Sequence, residues 1–197
     1  MLKGMRSTCA RRLVVGAAML PLLGVVAGCG ADPSESSRQE EVRDAGAIVM
    51  PFDLDMTKHA FVKLDNGGEQ TVIALDETDA EQVRLVREHF KEISVEFAAG
   101  NFDDPTMIHG DHMPGLQMLK DHAEELNVVY REISGGATIT YTSTDQELVG
   151  AVHEWFDAQV ADHGPDAASE PVGDVMTEEM WRQHHPAQPS PGDTTSD

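Results

Sequence analysis

Cysteine is nearly absent from this chain. Its 197 residues contain two cysteines, and one of them, Cys9, lies in an N-terminal segment that we expect to be removed. The processed chain then keeps Cys29 alone, so a disulfide framework and a cysteine-based metal site are both excluded. Folding must therefore depend on an apolar core, which roughly a hundred residues can form as a single domain.

Positive charge is also scarce. Lys and Arg number 14 against 35 Asp and Glu, which gives a net charge of -21. Four of the basic residues lie in the N-terminal segment, so its removal leaves 10 against 35 and a net charge of -25. Such a surface repels nucleic acid and anionic lipid headgroups. It favours cations or basic partners, although a solvated, solubilising face accounts for most of these carboxylates.

The apolar run at residues 13–26 is too short for a stable transmembrane helix. It follows a basic segment and ends in Val26-Ala27-Gly28-Cys29, an arrangement typical of an export signal. These four residues resemble the lipobox of bacterial lipoproteins, which implies a signal peptide at 1–28 and a lipid on Cys29. Because two or more acyl chains anchor a protein stably, we expect a lipoprotein on the extracytoplasmic face of the cell membrane. The alternative is an ordinary secretory signal in which Cys29 has no role.

Composition divides the rest of the chain into three parts. Residues 29–48 are rich in Ser, Glu, Asp and Arg, which predicts a disordered tether. Residues 49–164 are predicted to form a single domain, and 165–197 a mostly disordered acidic tail. Within the tail, Met176, Met180 and His184 lie on one side of a predicted short helix at 175–185. That helix docks on the domain or on a partner, and a polar tail with a stray Trp is the alternative.

The domain begins with the pattern of a β-hairpin followed by a helix. Strand-like runs at 59–64 and 70–75 flank Asp65-Asn66-Gly67-Gly68, whose residues tolerate positive φ. Residues 78–81, Thr-Asp-Ala-Glu, have the form of a capping box. An apolar stripe at spacings of three and four follows, which predicts an amphipathic helix: Val83, Val86, Phe90, Ile93 and Phe97.

The same pattern returns 66 positions later. Strand-like runs at 127–133 and 137–143 flank a Ser-Gly-Gly turn, and residues 144–147 form a second capping box before Val149, Val152 and Phe156. We predict an α+β fold in which duplicated ββα units, about 58–98 and 126–163, form an antiparallel sheet with helices packed on one face. A short inserted helix belongs to the insertion 99–125. Two unrelated units of similar design are the alternative and leave the fold class unchanged.

The candidate site lies in residues 99–115, which glycine and proline punctuate so often that we predict a loop. His109, His112 and Met113, together with His122 on the next helix, are candidate ligands of one metal ion. Imidazole suits zinc or copper, and a thioether shifts the preference towards copper(I). The alternative is structural: His109 and Asp111 cap the turn or the following helix, Met113 packs on Leu116, and His122 lines the apolar side of its helix.

Three further residues are candidate binding residues. Asp111 lies beside the proposed ligands in the same loop. His89 and His153 border the apolar stripes of the two long helices. Histidines at such borders are usually half-buried and bonded to a carbonyl group or water, so the residues favour a structural role for both over a binding role.

Three stretches carry a resemblance to known proteins: Met50-Pro51-Phe52-Asp53-Leu54-Asp55, the run from Ile108-His109-Gly110 to Met113-Pro114-Gly115-Leu116, and the run from Trp155 to Gly164. With them, residues 50–164 resemble a group of small, largely uncharacterised actinobacterial lipoproteins and secreted proteins. The resemblance implies no activity. Such chains are sometimes labelled aspartate carbamoyltransferase, but the Ser-Thr-Arg-Thr loop of that enzyme family is absent here, and its phosphate substrate would have to approach a strongly acidic protein.

The sequence has no recognisable catalytic centre. Ser134 and Ser143 lack a nucleophile-elbow pattern, and neither His-Glu-x-x-His nor a nucleotide-binding fingerprint occurs. We therefore predict a membrane-anchored, non-enzymatic binding protein for a copper or zinc ion at the central loop. The first alternative is an envelope protein-interaction module that uses the acidic surface and the Met/Trp tail. The second is a small hydrolase or transferase.

Overall fold

Two β-hairpins, each followed by a long helix, form the main part of the described structure. The computed structural model describes residues 33–172, which belong to one compact unit. Short 3-10 turns at Leu54–Met56, Ala123–Glu125 and Gly164–Asp166 join some of the elements. The helices and strands are α1 (Pro33–Val49), β1 (Thr57–Leu64), β2 (Gly67–Ala74), α2 (Ala80–Ala98), α3 (Asp103–His109), α4 (Leu116–Asp121), β3 (Asn127–Ile133), β4 (Gly136–Thr142), α5 (Gln146–His163) and β5 (Ala167–Ala168).

The strands form one sheet in the order β3-β4-β2-β1-β5. Each hairpin is antiparallel, and the two hairpins join through an antiparallel pair of β2 and β4. β5 runs parallel to β1, with Ala167 opposite His59. The sheet is therefore mixed and not purely antiparallel as predicted, because the chain returns along the free edge of β1 after α5.

The two long helices pack across the two halves of the chain. α2 packs mainly on β3 and β4, whereas α5 packs on β1 and β2. Each helix thus covers the hairpin of the other half, which joins the halves in one core. The prediction of an α+β fold is confirmed, whereas a duplication as the origin of the two ββα segments stays a prediction.

Aromatic side chains fill the centre of this core. Phe97 and Phe102 stack with ring centroids 4.5 Å apart, and Trp155 meets both rings edge-on at 6.0 and 5.8 Å. Tyr141 packs against Trp155 at 5.5 Å. Burial of each such ring contributes about 1.5–3 kcal/mol or more to stability, so this cluster is the most stabilising part of the interior.

Both long helices begin as the sequence indicates, but aspartate and not threonine caps them. The Asp79 carboxylate accepts hydrogen bonds from the backbone N–H groups of Glu81 and Gln82, both at 3.1 Å. Asp145 likewise accepts from the N–H of Glu147 at 2.8 Å. Aspartate caps a helix at least as well as threonine, so the predicted capping boxes mark the right positions with the wrong capping residue.

The predicted disordered tether at 29–48 is wrong for the part that the structure describes. α1 spans Pro33–Val49 and packs against α3 and α5. The side chain of Val42 is buried. Two ion pairs also attach α1 to the rest of the domain: Arg38 pairs with Asp162, and Arg43 pairs with Asp166. These ion pairs stabilise a helix that is polar in composition. Because Asp162 and Asp166 lie more than a hundred residues further along the chain, local composition does not reveal them.

The central segment is also more ordered than predicted. A seven-residue helix, α3, occupies the middle of the predicted loop. Gly115 then brings α4 against α5: its φ is +73°, and a Cβ there would lie 2.0 Å from the carbonyl oxygen of Ala151. Only glycine permits this close approach.

Residues 165–172 differ from the predicted disorder as well, since they contain a 3-10 turn and β5. The signal peptide 1–28, Cys29, the rest of the tail and its helix 175–185 lie outside the described residues. Among residues 33–172, no helix combines the length and the apolar content needed to cross a bilayer.

Candidate functional site

Four histidines from four different elements line one small cavity between the sheet and the helices. They are His59 on β1, His89 on α2, His109 on α3 and His163 on α5. The space open to the centre of a water molecule is ≈ 30 Å³, which is enough for an ion or about two waters. Such a concentration of one polar residue type in a closed space is typical of a binding site and not of a packed core.

Periodicity explains why His59 and His163 face inward. His59 is two residues from Phe61 on β1, so both side chains point to the same face of the sheet. His163 comes seven residues after Phe156 on α5, two turns further along the same side of the helix. His89 precedes Phe90, which is buried in the core.

The rings form a continuous group with His163 at its centre. His163 stacks on His59 with centroids 5.2 Å apart and an interplanar angle of 11°. It meets His109 edge-on at 5.1 Å and 72°. Phe52 closes one side, 6.1 Å from the His59 ring and 5.8 Å from the His89 ring.

A carboxylate and a guanidinium fix the orientation of His109. Its Nδ1 lies 2.8 Å from Oδ2 of Asp162. Arg38 donates to both Asp162 oxygens, at 3.1 and 2.7 Å, and to the His109 backbone carbonyl at 2.7 Å. Because an ionised carboxylate only accepts hydrogen bonds, Nδ1 carries the proton and Nε2 keeps its lone pair. This is the arrangement that presents an imidazole to a metal or to a reacting group.

Burial keeps the histidines of the cavity neutral. It lowers the pKa of both His89 and His163 to about 4. Burial also lowers the pKa of His59 well below its usual value and outweighs the opposing effect of Asp162 on the pKa of His109. Neutral imidazoles have free lone pairs at pH 7, so they are competent ligands.

The Asp162 side chain stays charged beside them. Its partial burial alone would raise the pKa of this carboxyl group, but the hydrogen bonds from Arg38 and His109 outweigh burial and lower it. The Arg38 side chain is 39 % exposed and Asp162 18 %, so the pair lies at the edge of the cavity where α1 covers it.

Three buried polar atoms of the cavity wall have no hydrogen-bond partner among the described residues. They are Nε2 of His89, Nε1 of Trp155 and Oε1 of Gln159. A buried polar group without a partner costs about 1–3 kcal/mol, and native interiors contain few of them. Their convergence on one space points to a bound molecule or ion that supplies the missing interactions.

α1 closes the outer side of the histidine group. A second space of ≈ 10 Å³ lies between α1 and the stacked rings of His59 and His163, and Gln39 and Arg43 of α1 line it. Gln39 also donates to the carbonyl of Ala161 at 3.2 Å. The route from solvent to the stacked pair of rings on this side therefore passes under α1.

The structure does not bring the four predicted metal ligands together. His109 is buried in the cavity, but His112 is exposed and Met113 is packed in the core. His122 is exposed and pairs with Glu125, Nδ1 to Oε1, at 3.0 Å. The predicted set fails because α3 turns His109 towards the cavity, whereas His112 and His122 are exposed to solvent and Met113 packs in the hydrophobic core.

The three other predicted binding residues also separate. His89 lines the cavity, whereas Asp111 is exposed. His153 donates through Nε2 to the carbonyls of Leu64 and Gly67, at 2.9 and 2.8 Å. It therefore has the carbonyl-bonded structural role that the sequence favours for it.

Sequence reasoning missed four residues of the site: His59, Asp162, His163 and Arg38. Two of them had a signal in the sequence. His59 alternates with Phe61 in a strand, and His163 continues the apolar stripe of the last helix, so both could have been placed on the core side. Arg38 and Asp162 lie 124 residues apart, and no local pattern links them.

Within residues 33–172, no group of three or more histidine, cysteine or carboxylate side chains could hold a metal ion in the conformations that the structure gives them. No known protein family, curated protein or solved structure matches this chain. The interpretation of the cavity therefore depends on its own geometry.

Proposed function

We propose that this chain is a lipid-anchored, extracytoplasmic binding protein whose ligand occupies the histidine-lined cavity. The observation that carries the proposal is that four histidines, Trp155 and Gln159 line one small cavity, and that His89, Trp155 and Gln159 each have a buried polar atom without a partner among the described residues. A site of this kind costs stability unless a ligand satisfies it. Binding is favoured over a purely structural role for that reason.

Binding also agrees better than catalysis with the side chains present. Among the described residues that line the cavity there is no serine, threonine or cysteine, the side chains that most hydrolases use as nucleophiles. The cavity is also small, which suits a ligand of very few atoms.

Lipid attachment is the part of the proposal that depends on the sequence alone. The expected result is that cells fed a labelled fatty acid incorporate label into the chain and retain it in the membrane fraction. Cys29→Ser should abolish the label and release the protein. Retention of label in the Cys29→Ser variant would contradict the anchor.

Binding in the cavity can be tested by NMR of the histidine ring nitrogens. Small polar molecules and ions, among them ammonium, formate, urea and Zn²⁺, are added in turn to the full chain in detergent. We expect at least one of them to shift the signals of His59, His109 and His163 and to leave those of His112 and His122 unchanged. No response of the cavity histidines to any addition would contradict the proposal.

A hydrolase or transferase is the second candidate, and the Asp162–His109 pair favours it. A carboxylate that holds an imidazole in one tautomer is the usual partner of a general base, and the base would activate a water molecule in the cavity. Turnover of an ester, amide or phosphoester panel that His109→Gln abolishes would support this candidate. Metal binding and turnover are separate readouts, so one result does not decide the other.

The envelope-interaction module remains the third hypothesis. It depends on residues 176–185, which lie outside the described part of the chain, and on the acidic surface. A deletion of residues 175–197 that removes a captured envelope protein and leaves the cavity's NMR response intact would favour it.

A further inference from the structure

The spacing of the histidine rings allows the class of ligand to be named. An imidazole nitrogen binds Zn²⁺ at about 2.0–2.1 Å, which puts the ring centre roughly 3.2 Å from the ion, so two rings on a tetrahedral ion have centres about 5.2 Å apart. The His59–His163 and His109–His163 centroids are 5.2 and 5.1 Å apart. The His163 ring is therefore already at the separation that one ion requires from both the His59 ring and the His109 ring.

The orientation of the rings differs from that of a filled site. His59 and His163 are stacked at 11°, so their nitrogens do not point to one place. Rotation about the outer side-chain torsion turns the nitrogens without moving the backbone. This torsion is broad in histidine and has no steep barrier near one angle, so the rearrangement is small.

The surroundings suit a cation. His109 already has the carboxylate partner that orients metal-bound histidines, with Nδ1 on Asp162 and Nε2 free. The unpartnered Nε2 of His89 provides a further donor in the same cavity. The strongly negative charge of the chain raises the local concentration of cations, and the ≈ 30 Å³ of space accommodates an ion.

We propose that the cavity binds one divalent transition-metal ion of the zinc class through His59, His109 and His163, with His89 as the fourth ligand and Asp162 as a positioning residue for His109. All four ligands are nitrogens, which zinc accepts in tetrahedral sites. The inference rests on the proposed function, since it names the ligand class of the same site. It replaces the ligand set of the central loop with one that spans four elements.

The test uses Zn²⁺ by calorimetry and Co²⁺ by visible absorption, with the full chain in detergent. We expect one ion per chain and the intense bands of tetrahedral Co²⁺. His109→Gln and His163→Gln should each lower the affinity for Zn²⁺ at least tenfold. Asp162→Asn should lower it 10–100-fold and shift the cobalt bands, which a purely structural role would leave in place.

Two controls keep the test independent of folding. The double variant His112→Gln with His122→Gln removes two exposed imidazoles of the original ligand set and should bind Zn²⁺ with unchanged affinity, as should His153→Gln. Zn²⁺ should also raise the urea midpoint of the unsubstituted chain, and a chelator should reverse the rise. This readout needs no variant.

The results separate the inference from the proposed function. Absence of Zn²⁺ and Co²⁺ binding overturns the inference, and so does binding that the His112/His122 variant abolishes while His109→Gln retains it. If the cavity histidines then respond to ammonium, formate or urea by NMR, the binding function stands with another ligand. If they respond to nothing, both proposals fail.

Discussion

The ends of the two long helices occupy matching positions in the two halves of the chain but differ in chemistry. Phe97 in α2 and His163 in α5 are 66 positions apart and continue the same stripe. Phe97 stacks on Phe102 at 4.5 Å and 5° in the apolar core. His163 stacks on His59 at 5.2 Å and 11° beside the cavity.

This difference between the two helix ends indicates which part of the protein is less stable than a packed core. A second pair, His89 and Trp155, is also 66 positions apart, and both side chains have an unpartnered ring nitrogen in the cavity wall. The aromatic end is stabilised by ring packing and leaves one polar atom, Trp155 Nε1, without a partner, whereas the histidine end consists of polar rings that a ligand can bind. Local departures from good packing of this kind are expected at functional sites.

The largest expected effect contrasts the two helix ends directly. Phe97→Ala should lower the free energy of unfolding by about 3–5 kcal/mol, because it opens a cavity in the aromatic cluster. His163→Ala should cost under about 1.5 kcal/mol, since it removes a polar ring from a site that is already incompletely packed. Urea unfolding measures both. Equal losses would mean that the histidine end is an ordinary core.

Acid should weaken the histidine end selectively. Because burial lowers the pKa of His89 and His163 to about 4 from a usual 6.5, the unfolded chain binds more protons than the folded one between these values. Stability therefore falls as the pH falls from 6.5 towards 4, by up to about 1.4 kcal/mol per pH unit for each histidine.

Four ionisable side chains face His163, so the loss of stability in acid can be attributed to particular residues. They are His59 on β1, His109 on α3, Asp162 on α5 and Asp166 beyond it. The measurement is urea unfolding at pH 6.5 and pH 5 for the unsubstituted chain and for His89→Phe, whose slope should be smaller. Parallel slopes would contradict neutral burial of His89.

Loss of the carboxylate at the edge of the cavity should have an intermediate effect. Asp162→Ala leaves Arg38 and His109 Nδ1 without their partner and should cost about 1–3 kcal/mol. The matched control is Asp55→Ala, which removes the exposed partner of Arg43 and should cost about 0.5 kcal/mol or less. Hydrogen exchange should also quicken in α1 for Asp162→Ala, and unchanged exchange there would show that Arg38 does not hold the helix.

We expect the smallest effect from a substitution that gives part of the histidine end the chemistry of the aromatic end. His89→Phe replaces a ring that has an unpartnered Nε2 and already packs on Phe52. We expect stability unchanged or raised by up to about 1 kcal/mol, together with weaker Zn²⁺ binding. A clear loss of stability with unaltered Zn²⁺ affinity would assign His89 to the core.

Much of the fold was predictable because periodicity and turn residues encode it locally. The two hairpins and the two long helices follow from alternation, glycine turns and the apolar stripe from Val83 to Phe97. α1 and β5 were missed because tertiary contacts stabilise them. Arg38 is stabilised by Asp162, and Ala167 pairs with His59 at the sheet edge.

The candidate site was only partly predictable for the same reason. His89 and His109 were identified, but His109 was grouped with sequence neighbours that the chain carries to the surface. His59 and His163 are 104 positions apart and meet only because α5 packs on β1. Spacing in the sequence detects ligands on one helix or loop, and this cavity takes one histidine from each of four elements.

The most direct test is a crystal structure of the chain grown with Zn²⁺, with diffraction recorded on both sides of the zinc absorption edge. The account predicts one strong anomalous peak among His59, His109 and His163, within about 2.0–2.1 Å of a nitrogen of each. A peak on His112 or His122, or a cavity that holds only water while the histidines keep their stacked rings, would contradict it.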